Sequence, residues 1–216
     1  MHEVRFHLDF ISPYAWLALL EAEEFGNMLE IDWKIEPVVY AGILNATGSI
    51  GPGEIEIKRN YTFDDVVRCA ARLGHEFAGP PSHPFRSLEA VRTLWVFRED
   101  PKALRLARNI SNACWGLGED ITNLGTLTKL VEQCDLDAAN LEERITATGT
   151  KEGLMAGTTA AMERGVFGVP TFEFDGELFW GHDRLPHLAS RIQGQVPAAR
   201  KLSQAMIDRP GTAHRR

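Results

Sequence analysis

Residues 3–10, EVRFHLDF, set Val4, Phe6, Leu8 and Phe10 against Glu3, Arg5, His7 and Asp9, which is the period-two alternation of a strand. Ser12-Pro13 then stops the pattern. Proline suits the first turn of a helix, where its missing N–H costs nothing; Ser12 falls at the N-cap, and Tyr14 to Phe25 continues with good helix formers. A second strand follows in IDWKIEPVVY and ends near Pro37, so residues 3–37 read as a β-α-β unit with a right-handed crossover. A unit of this size cannot bury a core alone, and the strands able to complete its sheet come only after Gly165. There VPTFEF and ELFW flank Asp175-Gly176, a strong two-residue hairpin signal, and a last helix begins at about Asp183.

Between about Gly42 and Gly165 the period changes. EIKRNYTFDDVVRCAARLG, SLEAVRTLWVFRED, PKALRLARNISNACWGLG, NLGTLTKLVEQCD and DAANLEERITATGTKEGLMAGTTAAMERG carry apolar residues at helical spacing. HEFAGPPSHPF, after the first of these, is too rich in proline to be helical. The expected fold is therefore α/β: a thioredoxin-like sheet (β-α-β … β-β-α) with a large all-helical insertion. Residues 1–40 and 166–195 make the discontinuous sheet domain, residues 41–165 the helical insertion, and residues 196–216 a loosely attached tail ending in the basic AHRR.

Charge and composition narrow the partners. The 23 Lys and Arg are outnumbered by 30 Asp and Glu, for a net charge of -7, and the cations are scattered among acids, so no field for a phosphate backbone exists and nucleic acid is not expected. No apolar run approaches the roughly 20 residues that span a bilayer, and the N-terminus lacks the apolar region of a signal peptide; the expectation is a cytoplasmic protein without a membrane partner. Cys69, Cys114 and Cys134 are far apart, with no C-x-x-C and no histidine at ligand spacing, and read as small hydrophobes with no metal site.

Ser12 has two readings from its position. Its oxygen can accept a backbone N–H of the first turn, the capping role, or its O–H can point outward beside the positive end of the helix and donate to an anion. A serine nucleophile needs a neighbouring base, and none is visible in the sequence near it. Lys58, Arg59 and Tyr61, with Asp64 and Asp65, read as a solvated helix face. His75 and His83 read as loop or surface residues.

Four segments carry a resemblance: FHLDFISPYAWLA (6–18), GILNATGSIGP (42–52), KRNYTFDDVVRCAARLG (58–74) and GVFGVPTFEFDGELFWGHDRL (165–185). With them the chain resembles the 2-hydroxychromene-2-carboxylate isomerases, glutathione-dependent members of the DsbA group close to the kappa-class glutathione transferases. The resemblance places Ser12-Pro13-Tyr14-Ala15 where redox relatives carry C-P-H-C, and disulfide exchange without a thiolate is excluded there. It implies glutathione as cofactor, with Ser12 as the catalytic group that orients and activates its thiolate. It implies a cis Val169-Pro170 bond whose Val169 backbone pairs with the cysteinyl residue. Trp180, Gly181, His182 and Asp183 are then expected to close the glutathione site, with Asp183 both meeting the γ-glutamyl ammonium and capping the last helix; His182 departs from the family's Asn or Gln.

On the substrate side the same resemblance points to Asn45, where the family commonly has Lys, to Ser49 in place of Asn, and to Arg86 in place of Asn, a cation in exchange for the one lost at residue 45. Trp115 matches an aromatic that can wall a substrate pocket, with a core tryptophan as the plainer reading. The implied activity is isomerisation of an aromatic pyruvate-type acid in naphthalene-like catabolism, by a homodimer. A kappa-like transferase that consumes glutathione, and a noncatalytic thiol- or peptide-binding protein, stand as alternatives.

Overall fold

In a computed structural model that describes residues 1–199, 204 and 206–209, the alternating stretch forms strand β1 (His2–Leu8) and the Ser-Pro junction opens helix α1 (Pro13–Leu29). Helix α1 stops where Glu30 enters the left-handed region at φ 51° and its N–H returns to the Gly26 carbonyl, which releases the chain directly into β2 (Ile31–Pro37). β2 lies parallel to β1, with Phe6 opposite Ile35. β3 (Thr171–Phe174) pairs antiparallel with the other edge of β1, placing Phe172 opposite Phe6, and β4 (Glu177–Trp180) folds back on β3 through Asp175 and Gly176, both at positive φ. The sheet order among the described residues is β2-β1-β3-β4. β1 is thereby covered on both edges, and Val4, Phe6 and Leu8 are fully buried.

The helical stretch comprises α2 (Tyr40–Thr47), α3 (Glu56–Arg72), α4 (Leu88–Phe97), α5 (Ala103–Trp115), α6 (Leu124–Gln133), α7 (Leu141–Thr146) and α8 (Thr148–Glu163). Two features differ from the sequence reading. Helix α2 was not among the periodic stretches, because in its eight residues Ile43 alone is fully buried and little pattern remains. The stretch read as one helix over 137–165 is two, broken where Ala147 turns extended (φ -56°, ψ 142°).

Leu94, Leu106, Ile110 and Leu130 of the insertion share one hydrophobic cluster with Phe6, Trp16, Phe172 and Leu185, so the sheet and the helical insertion close around a single core. A smaller cluster joins Val38, Ile43, Ala161, Val166 and Val169 and seats the chain leading into β3. After β4, a 3₁₀ turn (His182–Arg184) leads into α9 (Leu185–Ile192), which buries Leu185 and Leu188. Of the expected tail, residues 200–203, 205 and 210–216, including AHRR, lie outside the described residues. No helix among the described residues is long and apolar enough to cross a membrane.

Candidate active site

The turn between β1 and α1 is built on a buried carboxylate. Asp9 accepts the N–H groups of Ile11 (3.1 Å) and Tyr40 (2.9 Å), which ties the turn to the start of α2. Burial pushes the Asp9 carboxyl above its ordinary value, while Ser87 and these backbone donors oppose the shift. The turn delivers Ser12 to the N-cap of α1, with Pro13 in the first helical position. The Ser12 oxygen accepts the Ala15 N–H at 3.2 Å, and its O–H donates to the Val169 carbonyl at 3.2 Å. Val169-Pro170 is a cis peptide bond. Capping is therefore present, and the hydroxyl hydrogen is directed at Val169, not outward as the anion-donor reading of Ser12 has it.

Ser12 opens on a cavity of about 930 Å³ with mostly apolar walls. One wall is a single face of α3, on which Arg59, Thr62, Asp65, Cys69 and Arg72 recur at steps of three and four. Tyr40 and Leu44 of α2 and the segment His83 to Leu88 line the cavity too, with the His83 ring centroid 5.2 Å from that of Phe63 of α3. The closing segment supplies Trp180 to Arg184. Gly181 has φ 107°, a conformation that side-chain-bearing residues rarely adopt, and donates its N–H to the Pro170 carbonyl at 2.9 Å; a Cβ here would also displace the Asp183 carboxylate, 2.5 Å away. His182 is buried with its ring stacked on Tyr14 (5.3 Å between centroids, 7° between planes), and the Tyr14 hydroxyl donates to Asp65 at 2.9 Å.

Asp183 does not cap α9. It sits within the 3₁₀ turn, α9 starts from Arg184 without a side-chain cap, and the Asp183 carboxylate pairs with Arg184 at 3.0 Å at the cavity rim. Because the extra turn intervenes, the capping position falls one residue later than the sequence implies.

A family profile for a DSBA-like thioredoxin domain matches residues 3–193. The chain belongs to this family. It is 28% identical over 193 residues to the 2-hydroxychromene-2-carboxylate isomerase of Pseudomonas putida, covering 88% of this chain and 93% of that one. It is also 28% identical over 209 residues to glutathione S-transferase kappa 1 of Rattus norvegicus, covering 88% and 92%. Its fold matches the solved structure of a 2-hydroxychromene-2-carboxylate isomerase with a TM-score of 0.81 at 25% identity, over 95% of this chain and 98% of the other. The kinship read from the four motifs is thus the one the comparisons find. In this DSBA-like chain the start of α1 carries no thiol: Cys114 and Cys134 are buried away from the cavity, and Cys69, which lines it, belongs to α3.

The fold brings Ser12, Val169, Pro170, Trp180, Gly181, His182 and Asp183 to one cavity. Arg86 reaches it too, but with a side chain 68% exposed and paired to Glu89 at 2.8 Å. Asn45 and Ser49 are not among its lining residues: α2 turns Tyr40, Ala41 and Leu44 inward and leaves Asn45 in solvent, while exposed Ser49 accepts a hydrogen bond from the Thr47 hydroxyl. The sequence reading gave Tyr14 no site role and took Arg59 and Asp65 for a solvated helix face and His83 for a loop or surface residue, whereas all four line the cavity. For the α3 residues a signal existed in the helical recurrence from Arg59 to Arg72. His83 had none, since its place depends on how the Pro-rich loop folds back, bringing Nε2 to 3.4 Å from the Ile11 carbonyl beside the Phe63 and Trp115 rings. Trp115 itself is fully buried and does not line the cavity.

His182 makes stability pH-dependent. Burial holds its pKa below the ordinary 6.5, against the pull of Asp183 and Asp65. An unfolded histidine therefore takes its proton first on acidification, so this contribution is intact above 6.5 and is lost as pH falls from there toward the folded value. His83, also depressed by burial, acts in the same direction. Urea unfolding of wild type and His182→Asn at about pH 7.5 and about pH 5.5 is expected to show a smaller loss in the variant; equal losses would place the acid lability elsewhere.

Proposed function

We propose that this chain is a glutathione-dependent isomerase of 2-hydroxychromene-2-carboxylate or a similar aromatic pyruvate-type acid. The observation that carries the reading is Ser12, an alcohol at the start of α1 that is bonded to the carbonyl beside a cis-proline and opens on a large apolar-walled cavity. With Ser12 and Ala15 at the two positions where redox relatives hold thiols, and with the pKa of the Cys69 thiol of α3 pushed up by burial, a reactive sulfur at the start of α1 comes from a bound compound.

Glutathione fits the residues present. The Val169 backbone and the N-terminus of α1 suit its cysteinyl portion, and the Asp183 carboxylate suits its ammonium. When bound, it supplies a thiolate that adds to an electrophilic carbon and departs again, so that a bond is free to rotate while single and no thiol is consumed. Ser12 prepares the site by rotation. Its oxygen accepts the Ala15 N–H and its hydrogen is held by the Val169 carbonyl; with glutathione bound, the hydroxyl would be free to donate to the thiolate and the Val169 carbonyl to accept a peptide N–H. The 17-residue α1 has no acid in its first turn, so its positive end favours the thiolate undiminished. In this reading the protein works in the cytoplasm, as a homodimer, in the breakdown of naphthalene-like aromatics.

The similarity to glutathione S-transferase kappa 1 favours a second outcome at the same site, conjugation. Counting free thiol during turnover of the chromene carboxylate separates the two. Constant thiol with product formation, and no turnover without glutathione, is the expected result. Loss of one thiol per product would make the protein a transferase, and turnover in the absence of any thiol would end both readings.

A further inference from the structure

We propose that Arg59 is the residue that reads the substrate's carboxylate, holding the acid group of a planar aryl acid whose ring lies along Phe63 and Phe85. The inference rests on the isomerase reading above and names the specificity residue within it. Helix α3 spans the cavity: Arg72 and Cys69 stand at the end near His182 and Asp183, and Arg59 stands thirteen residues away, about 20 Å at 1.5 Å per residue. The glutathione end and the far end of the cavity are therefore faced by opposite ends of one helix.

Among the four arginines that line the cavity, Arg86 is paired with Glu89 at 2.8 Å and Arg184 with Asp183 at 3.0 Å. Arg59 and Arg72 have no carboxylate within 4.0 Å among the described residues. Arg72 is exposed and belongs to the Asp183 end, whereas Arg59 is half-buried on the apolar wall formed with Phe63, Phe85 and Leu88. The acids that could neutralise Arg59 are otherwise placed. Glu54 accepts the Gly51 N–H, Glu56 is exposed and makes no ion pair with it, and Asp65 takes the Tyr14 hydroxyl.

A guanidinium is always charged and presents a planar fork of donors that matches a carboxylate. Half-buried beside apolar rings with no carboxylate partner among the described residues, that of Arg59 gains a charge-assisted hydrogen-bonded pair from an incoming carboxylate. His83, edge-on to Phe63 at 5.2 Å, does not compete as a second cation, because burial and the charge of Arg59 both disfavour its imidazolium. The cation expected at Arg86 from sequence is thus supplied from α3 instead.

The test is calorimetric binding of 2-naphthoate and its neutral counterpart 2-naphthamide to wild type, Arg59→Met and Arg86→Met, with glutathione affinity measured on the same samples and thermal melts to verify folding. Wild type is expected to prefer the acid by on the order of 10- to 100-fold, the value of a charge-assisted hydrogen-bonded pair. Arg59→Met is expected to abolish the preference with glutathione affinity unchanged, and Arg86→Met to keep it. A preference that survives in Arg59→Met, no preference in wild type, or an equal loss of glutathione affinity in Arg59→Met would each overturn the assignment. Intact acid preference without chromene carboxylate turnover would instead sink the isomerase reading and leave Arg59 as an aryl-acid reader.

Discussion

Ser12→Ala is expected to lower turnover by about 10²- to 10³-fold, the range for loss of one donor aimed at a reacting anion. The change removes two interactions at once: the hydroxyl that can turn toward a bound sulfur, and the oxygen that accepts the Ala15 N–H. Loss of the cap alone costs about 1 kcal/mol of stability, and a melt measures that part separately. The part that belongs to chemistry shows in the thiol. In the proposed site, donation from Ser12 would favour the thiolate and lower the pKa of bound glutathione; its removal is expected to raise that pKa and shrink the reactive fraction at neutral pH. Ultraviolet absorbance of the thiolate across a pH titration reads this directly. Ser12→Thr keeps an oxygen and a proton in place and is expected to recover much of the activity. Near-wild-type turnover and an unmoved titration in Ser12→Ala would dismiss the serine from catalysis.

Trp115→Ala is expected to cost about 3–5 kcal/mol of unfolding free energy, as large aromatics do when removed from a closed core. Trp115 is fully buried, stacks on Phe77 at 6.0 Å and 22°, and lies near Phe63, Phe85 and His83. Its indole N–H donates to the Phe10 carbonyl at 2.9 Å, two residues before Ser12, and its own carbonyl accepts the N–H groups of Ala78 and Gly79. Trp115 thus braces both the Ser12 turn, through its indole N–H, and the Pro-rich loop, through its backbone carbonyl and its ring contacts. Trp115→Phe keeps most of the packing and loses the indole donor, leaving the Phe10 carbonyl unmet, at about 1–3 kcal/mol. Urea denaturation of both variants checks the ordering. A loss below about 1.5 kcal/mol for alanine would mean that the surrounding rings close over the gap.

How far the sequence could be read follows from the range of each signal. β1, the start of α1 and the β3-β4 turn were legible because alternation, Ser-Pro and Asp-Gly act over two to eight residues. Ser12 and the Val169-Pro170 pair were placed together by resemblance, and the structure joins them by a hydrogen bond. Asp183 was misassigned as a cap because a 3₁₀ turn of three residues leaves no trace in periodicity. Asn45 and Ser49 stand outside the cavity lining because a residue's neighbour in sequence, such as Leu44, can face a cavity while it faces water. Arg59, Asp65 and His83 escaped for the converse reason. Polar residues on a cavity wall have the same pattern as polar residues on a surface until the packing of α3 and the loop around His83 is known.

The hydrogen bond from Ser12 to Val169 joins positions 157 apart. During synthesis the first turn of α1 leaves the ribosome long before the hairpin that it needs, and until β3 arrives one edge of β1 lacks its partner. A nascent chain halted ahead of residue 169 therefore carries the serine but not the carbonyl to which its hydroxyl donates. The Ser12 turn is completed only by a contact of long sequence separation, the kind that forms late in folding.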